Sequence, residues 1–180
     1  MRIVAGKYRG ITLLTFDAGN IRPTVDRVRE NIFNKIQFNI PGARVLDLFG
    51  GTGAVSLEFI SRGAADVVVC DNNAKSVDLI RKNFAKVSLK PNLKIGDYKA
   101  VLQSLQGKTF DIIFLDPPYD TDYAEKSLDF IGNNNLLDEE GIIVYEHLVG
   151  KEFTMPECLE IFDERKYGTV AVTFIRKKWW

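Results

Sequence analysis

Val45-Leu46-Asp47-Leu48-Phe49-Gly50-Gly51-Thr52-Gly53 is the stretch that decides the fold. Its apolar opening reads as a buried strand, and the glycines after it mark a tight turn into the helix starting near Ala54. Three glycines let the main chain approach a ligand closely, while the helix start presents free N–H groups. The spacing is incomplete for G-x-G-x-x-G, because Ser56 takes the third glycine position. No Lys follows the glycines, which excludes a P-loop.

Downstream of this unit, strand and helix alternate. Asp66–Cys70, Leu93–Ile95, Phe110–Leu115 and Ile142–Tyr145 read as strands. Ala54–Arg62, Ala74–Val87, Tyr98–Leu105 and Ala124–Ile131 read as helices. Val77, Ile80 and Phe84 mark an inward helix face. This is the rhythm of a mostly parallel, doubly wound sheet. Leu159–Glu164 and Thr169–Lys177, joined at Tyr167-Gly168, read instead as an antiparallel hairpin at its edge. Upstream, Arg2–Ala5 and Ile11–Leu14 predict a β-hairpin. Thr24 is the expected N-cap of a helix with Val25, Val28, Ile32, Phe33 and Ile36 on one face, closed by Pro41-Gly42. Residues 1–40 are thus expected to extend a main domain of residues 41–180.

Composition fits a soluble globular domain: 180 residues, 46% hydrophobic, with equal numbers of acidic and basic side chains. A zero net charge argues against a nonspecific polyanion binder. There is no membrane-length apolar run and no signal-peptide core, so the expected setting is the cytoplasm. Cys70 and Cys158 lack metal-ligand spacing, and His147 reads as structural, so no metal is expected. The chain is expected to be a monomer. Positive charge concentrates in the first thirty residues, which include Arg2, Lys7, Arg9, Arg22, Arg27 and Arg29.

Candidate site residues gather at the carboxyl ends of the strands, where open α/β sheets bind ligands. Asp47 precedes the glycines and suits a ligand ammonium group. Asp71 stands about twenty residues on, where a carboxylate can accept from both ribose hydroxyls. Asp97 can accept from an adenine amino group. Asp66, Asp78 and Asp111 read as structural. S-adenosylmethionine carries the ammonium, carboxylate, ribose and adenine that these groups suit. Asp116-Pro117-Pro118-Tyr119 ends the strand Phe110–Leu115 with a carboxylate, two prolines that stop the ladder, and a ring that can stack. Such a turn can hold an amino group between Asp116 and the Pro117 carbonyl.

These residues resemble the class I S-adenosylmethionine-dependent methyltransferases, and among them the RsmD family of 16S rRNA guanine-N2 methyltransferases. The resemblance runs through Arg2-Ile3-Val4-Ala5-Gly6-Lys7-Tyr8-Arg9-Gly10, Arg22-Pro23-Thr24 with Asp26-Arg27-Val28-Arg29-Glu30, the strand from Val45 to Phe49, and Leu57-Glu58. It continues in Ser61-Arg62-Gly63-Ala64, Asp116-Pro117-Pro118-Tyr119 and Glu146-His147. Gly50 and Thr52 stand where the family more often has Ala and Ser, and Trp179-Trp180 falls outside the pattern. The resemblance implies a Rossmann-like fold with a seven-stranded sheet. It implies methyl transfer to a guanine N2 of 16S rRNA, within an assembled or assembling small ribosomal subunit. The expected cofactor contacts are Asp47, Phe49, Gly50, Gly51, Thr52, Gly53, Asp71, Asn72, Asp97 and Tyr98, with Arg22 and Thr24 from the amino-terminal arm. Asp116, Pro117, Pro118 and Tyr119 are the expected catalytic turn, and Arg2, Lys7, Arg9, Arg27 and Arg29 the expected substrate contacts. A DNA adenine-N6 or cytosine-N4 methyltransferase can use the same tetrapeptide. The chain shows no target-recognition domain of the kind such an enzyme carries.

Overall fold

β1 (Arg44–Asp47), β2 (Asp66–Asp71), β3 (Asn92–Ile95) and β4 (Phe110–Leu115) pair in parallel in a computed structural model that describes residues 1–16 and 23–179. β5 (Leu137–Leu148) joins β4 in parallel, while β6 (Leu159–Tyr167) and β7 (Val170–Lys177) form an antiparallel hairpin. β7 inserts between β5 and β6, giving the order β3-β2-β1-β4-β5-β7-β6 among the described residues. Chain progression reverses between β1 and β4, which opens a crevice at their carboxyl ends.

Alternation along the central strands builds two cores. Leu46, Leu48, Ile113 and Leu115 face α4 (Tyr98–Ser104) and α5 (Tyr123–Asn133), where Leu102, Leu128 and Ile131 meet them. Val45, Ile112 and Phe114 face the opposite layer, meeting Val28, Ile32 and Phe33 of α1 (Pro23–Lys35) and Phe59 of α2 (Ala54–Ser61). α3 (Ala74–Ala85) supplies Ile80 and Phe84 to a third cluster, which Ile3 and Leu13 of the amino-terminal arm complete.

The arm forms a hairpin with a single bridge, Arg2 to Thr12, rather than two full strands. Main-chain bonds from Ile3 N to Ile11 O and from Leu13 N to Met1 O hold its two limbs together, and other main-chain groups of the arm reach α2. Glu58 accepts from Val4 N and Ala5 N at 2.8 and 3.2 Å. Ser61 accepts from Tyr8 N at 2.9 Å and donates to Ala5 O at 2.6 Å. Asn83 of α3 holds Leu14 by both its N–H and its carbonyl, at 2.7 and 3.0 Å, and also donates to the Thr52 carbonyl at 2.8 Å. One amide therefore ties the arm to the glycine loop.

Two expectations need correction. α1 begins at Pro23, so Thr24 lies inside the helix and is not its N-cap. Proline's fixed φ and missing N–H suit it to a first helical position. β5 is also much longer than Ile142–Tyr145. Leu137 pairs with Phe110 and Ile142 with Ile112, so the charged run Asp138-Glu139-Glu140 falls in the irregularity between these two pairs.

Candidate active site at the strand switch point

The glycine loop is held by the strand beside it. Gly50 N donates to Cys70 O at 2.7 Å, and Gly51 N donates to Asp71 Oδ2 at 2.9 Å. A Cβ on Gly50 would lie 2.4 Å from Val69 Cγ2, so the Gly at this position fits the close approach to β2. Gly53, at φ +84°, caps α2. Asp71 Oδ1 accepts from Asn73 N at 2.9 Å, and Asn73 in turn caps α3 through Lys75 N and Ser76 N. Asp97 caps α4 by accepting from Lys99 N at 2.9 Å. Two of the four strand-end acids therefore also shape the turns that carry them.

These turns enclose a cavity of about 610 Å³. Gly51, Asp71, Asn72 and Asp97 line one side, Phe49 and Tyr98 the floor, and Asp116, Pro117, Pro118 and Tyr119 the far wall. The cavity thus joins six of the expected cofactor residues to all four of the expected catalytic turn. Phe16, Asn73 and Tyr123 also line it, and the sequence does not single them out. Tyr123 stacks near-parallel on Phe49 at 6.4 Å and packs on Tyr98 at 4.7 Å. Its one signal in the sequence is an aromatic residue opening the helix just past the Asp116–Tyr119 turn.

Asp47, Gly50, Thr52 and Gly53 are not part of that lining. Asp47 is buried, accepts from Ser56 Oγ at 2.7 Å, and so points under the loop rather than into the cavity. Burial pushes its pKa up to about 7, with Asp71 adding to the rise and Ser56 opposing it. The cavity's acidic character comes from Asp71, Asp97 and Asp116. Asp116 is exposed to the cavity it lines. Desolvation, then the carboxylates of Glu146 and Asp47, raise it well above the usual carboxylate range. Desolvation alone pushes Glu146 up to about 7.

His147 is structural: Nδ1 lies 2.9 Å from Leu148 O and Nε2 lies 2.7 Å from Thr173 Oγ1. A carbonyl can only accept, so Nδ1 carries a proton. Asp111 pairs with Arg44 and Asp78 with Lys82, as expected of structural acids. No group of three or more potential metal ligands occurs among the described residues.

On the arm side, Arg2, Arg9 and Arg27 line a second depression of about 430 Å³ together with Asp26 and Glu30. Lys7 lies over the Tyr8 ring. Arg29 differs from expectation. It is 6% exposed, donates to Arg2 O at 2.6 Å and pairs with Asp26 at 3.4 Å, so it braces the arm from inside. Arg22 lies outside the described residues, as does the side chain of Thr24.

A glycine-cornered cavity at the switch point, a mostly parallel sheet and an antiparallel terminal hairpin define a class I methyltransferase, whose cofactor is S-adenosylmethionine. The chain belongs to the family described as Conserved hypothetical protein 95, whose model matches residues 1–176. It is 31% identical over 185 residues to Ribosomal RNA small subunit methyltransferase D of Escherichia coli (strain K12), covering 99% of this chain and 90% of that protein. The protein of the same name from Haemophilus influenzae is 29% identical, with 95% and 91% covered. A solved structure of a hypothetical protein from Thermus thermophilus superposes with a TM-score of 0.83 at 27% identity, covering 98% of this chain and 99% of that one.

The cavity fits the cofactor on its own chemistry. Asp71 and Asp97 offer acceptors, Phe49 and Tyr98 offer a stacking surface, and the buried Tyr98 hydroxyl has no hydrogen-bond partner among the described residues.

Proposed function

We propose that this protein transfers a methyl group from S-adenosylmethionine to the exocyclic N2 of a guanine in 16S rRNA. The observation that carries the reading is the placement of Asp116-Pro117-Pro118-Tyr119 as a wall of the cofactor cavity. An amino group gripped by that turn lies beside whatever the cavity holds. The names of the relatives support an rRNA acceptor. Residues 1–40 form the substrate- and cofactor-facing extension of the domain built by residues 41–180.

The cofactor supplies an electrophilic methyl group on a sulfonium. Asp71 and Asp97 would hold its ribose and adenine, with Gly51 of the glycine loop beside them. Arg22 and Thr24 are further cofactor contacts on the strength of the family resemblance alone. Asp116 and the Pro117 carbonyl accept from the guanine amino group, which turns the nitrogen lone pair out of conjugation and toward the methyl. Tyr119, half exposed on the rim, stacks on the ring, a contact worth roughly 1–3 kcal/mol per base. As the new C–N bond forms, Asp116 takes the proton the nitrogen loses, directly or through water; its raised pKa suits it to that role. Alignment is the larger contribution, since positioning supplies about 7–11 kcal/mol in favourable cases. The base must leave its stack to enter. Arg2, Lys7, Arg9 and Arg27 meet the phosphates.

The substrate is a particle in the cytoplasm, with the protein acting as a monomer. Labelled methyl groups should pass to small ribosomal subunits lacking the modification and not to DNA. Transfer to DNA alone would replace this reading with that of a DNA amino methyltransferase.

A further inference from the structure

Asp116, just past the end of β4, stands beside Glu146 of β5, because Leu115 pairs with Tyr145 in parallel. Neither carboxylate has a hydrogen-bond or ion-pair partner among the described residues, and no cation answers them. A small cleft opens beside Glu146, and its other wall is Pro117-Pro118-Tyr119, the same turn that walls the cofactor cavity. The basic groups on this cleft are already committed. Lys151 Nζ donates to Thr121 O at 2.9 Å, and both His147 ring nitrogens have partners.

Two adjacent, cleft-facing carboxylates without a cation, one exposed and one partly buried, form an acceptor-only pair that suits a ligand bringing donors to both. A base that matches the pair carries neighbouring N–H groups on one edge. Guanine has them, with N1–H beside the N2 amino group on one edge. In adenine and cytosine the ring nitrogen beside the amino group is a bare acceptor, and an ionised carboxylate opposite it would be repelled.

We propose that Glu146 accepts the N1–H of the target guanine while Asp116 holds its amino group, so that this pair of side chains selects guanine over other amino-bearing bases. The proposal rests on the guanine reading above and supplies a structural reason for it. Desolvation of both carboxylates fits a site that waits for a donor-rich edge.

The test replaces the target guanosine in reconstituted small ribosomal subunits with 2-aminopurine riboside, which keeps the 2-amino group but has no N1–H. The unaltered protein should methylate the guanine particles at least about tenfold faster than the 2-aminopurine particles, the scale of one well-made base contact. Glu146→Gln should bring the two rates together, because its amide can accept from guanine N1–H or donate to the bare N1. That dependence on residue 146 separates N1 from the missing O6. Equal rates on both particles with the unaltered protein would overturn the assignment, whatever the variant does. So would a ratio that Glu146→Gln leaves unchanged. Failure to methylate the guanine particles at all is a different result, which would remove the guanine reading and Glu146's role together.

Discussion

Asp71 at the end of β2 accepts the main-chain N–H of Gly51 at 2.9 Å, so the acid assigned to the cofactor ribose also fixes the glycine loop. The same carboxylate holds Asn73 N at the start of α3. Removing it should therefore weaken the cofactor twice, by losing a ligand contact and by freeing the loop. We expect Asp71→Ala to raise the S-adenosylmethionine Kd by about tenfold or more, the scale of one hydrogen bond to a charged group. Calorimetry checks this, and an unchanged Kd would remove Asp71 from the site.

Asp116 lines the same cavity, and among the described residues no hydrogen bond joins its side chain to the glycine loop. Asp116→Ala should lower kcat by about a hundredfold or more, while the cofactor Kd stays within a few-fold. A loss confined to cofactor binding would place Asp116 in a different role.

The carboxylates at the rim also set a pH dependence. Asp116 is raised well above the usual range and Glu146 up to about 7, and they titrate as a pair. Activity needs the ionised form, so kcat/KM should rise with pH through an acidic limb near neutrality. A limb near pH 4 would show that these groups do not control transfer.

Asp47 gives a stability effect of known sign. Its pKa is raised from 3.8 to about 7 in the folded chain, so the native state keeps a proton that the unfolded state has lost. Stability contributed this way is present at low pH and lost as pH rises through about 7. Asp47→Asn can still accept from Ser56. Between about pH 4 and 7 its stability should fall less steeply than that of the unaltered protein, by up to roughly 1.4 kcal/mol per pH unit. Denaturant melts across that range measure the difference.

Two glycines of the arm make a matched pair. Both have φ +87°, but a Cβ at Gly6 would lie 1.9 Å from Ser61 O while a Cβ at Gly10 meets nothing within 4 Å. Gly10→Ala should cost about 1 kcal/mol through its backbone alone. Gly6→Ala should cost clearly more, since the arm must lift from α2. Equal melting points would contradict this docking of the arm.

Features set by neighbouring residues were legible in the sequence. The glycine loop, the strand-ending acids and the Asp116–Tyr119 turn carry their meaning within a few residues, and the βα rhythm places them at one edge. What was not legible depends on partners far along the chain. Asp47 turns inward because Ser56 on α2 meets it, and Arg29 is buried because residues 1–14 fold over it. Tyr123 and Glu146 join the site only through the packing of α5 and the pairing of β5 with β4. The extra length of β5 is not legible because charged residues follow Leu137, and only the pairing of Leu137 with Phe110 on the neighbouring strand shows that β5 starts there.

The most direct measurement is nucleoside mass analysis of 16S rRNA from small subunits lacking the modification, after incubation with this protein and S-adenosylmethionine. The account predicts N2-methylguanosine at a single position. Methyl groups on adenine or cytosine, or none in the RNA, would contradict it.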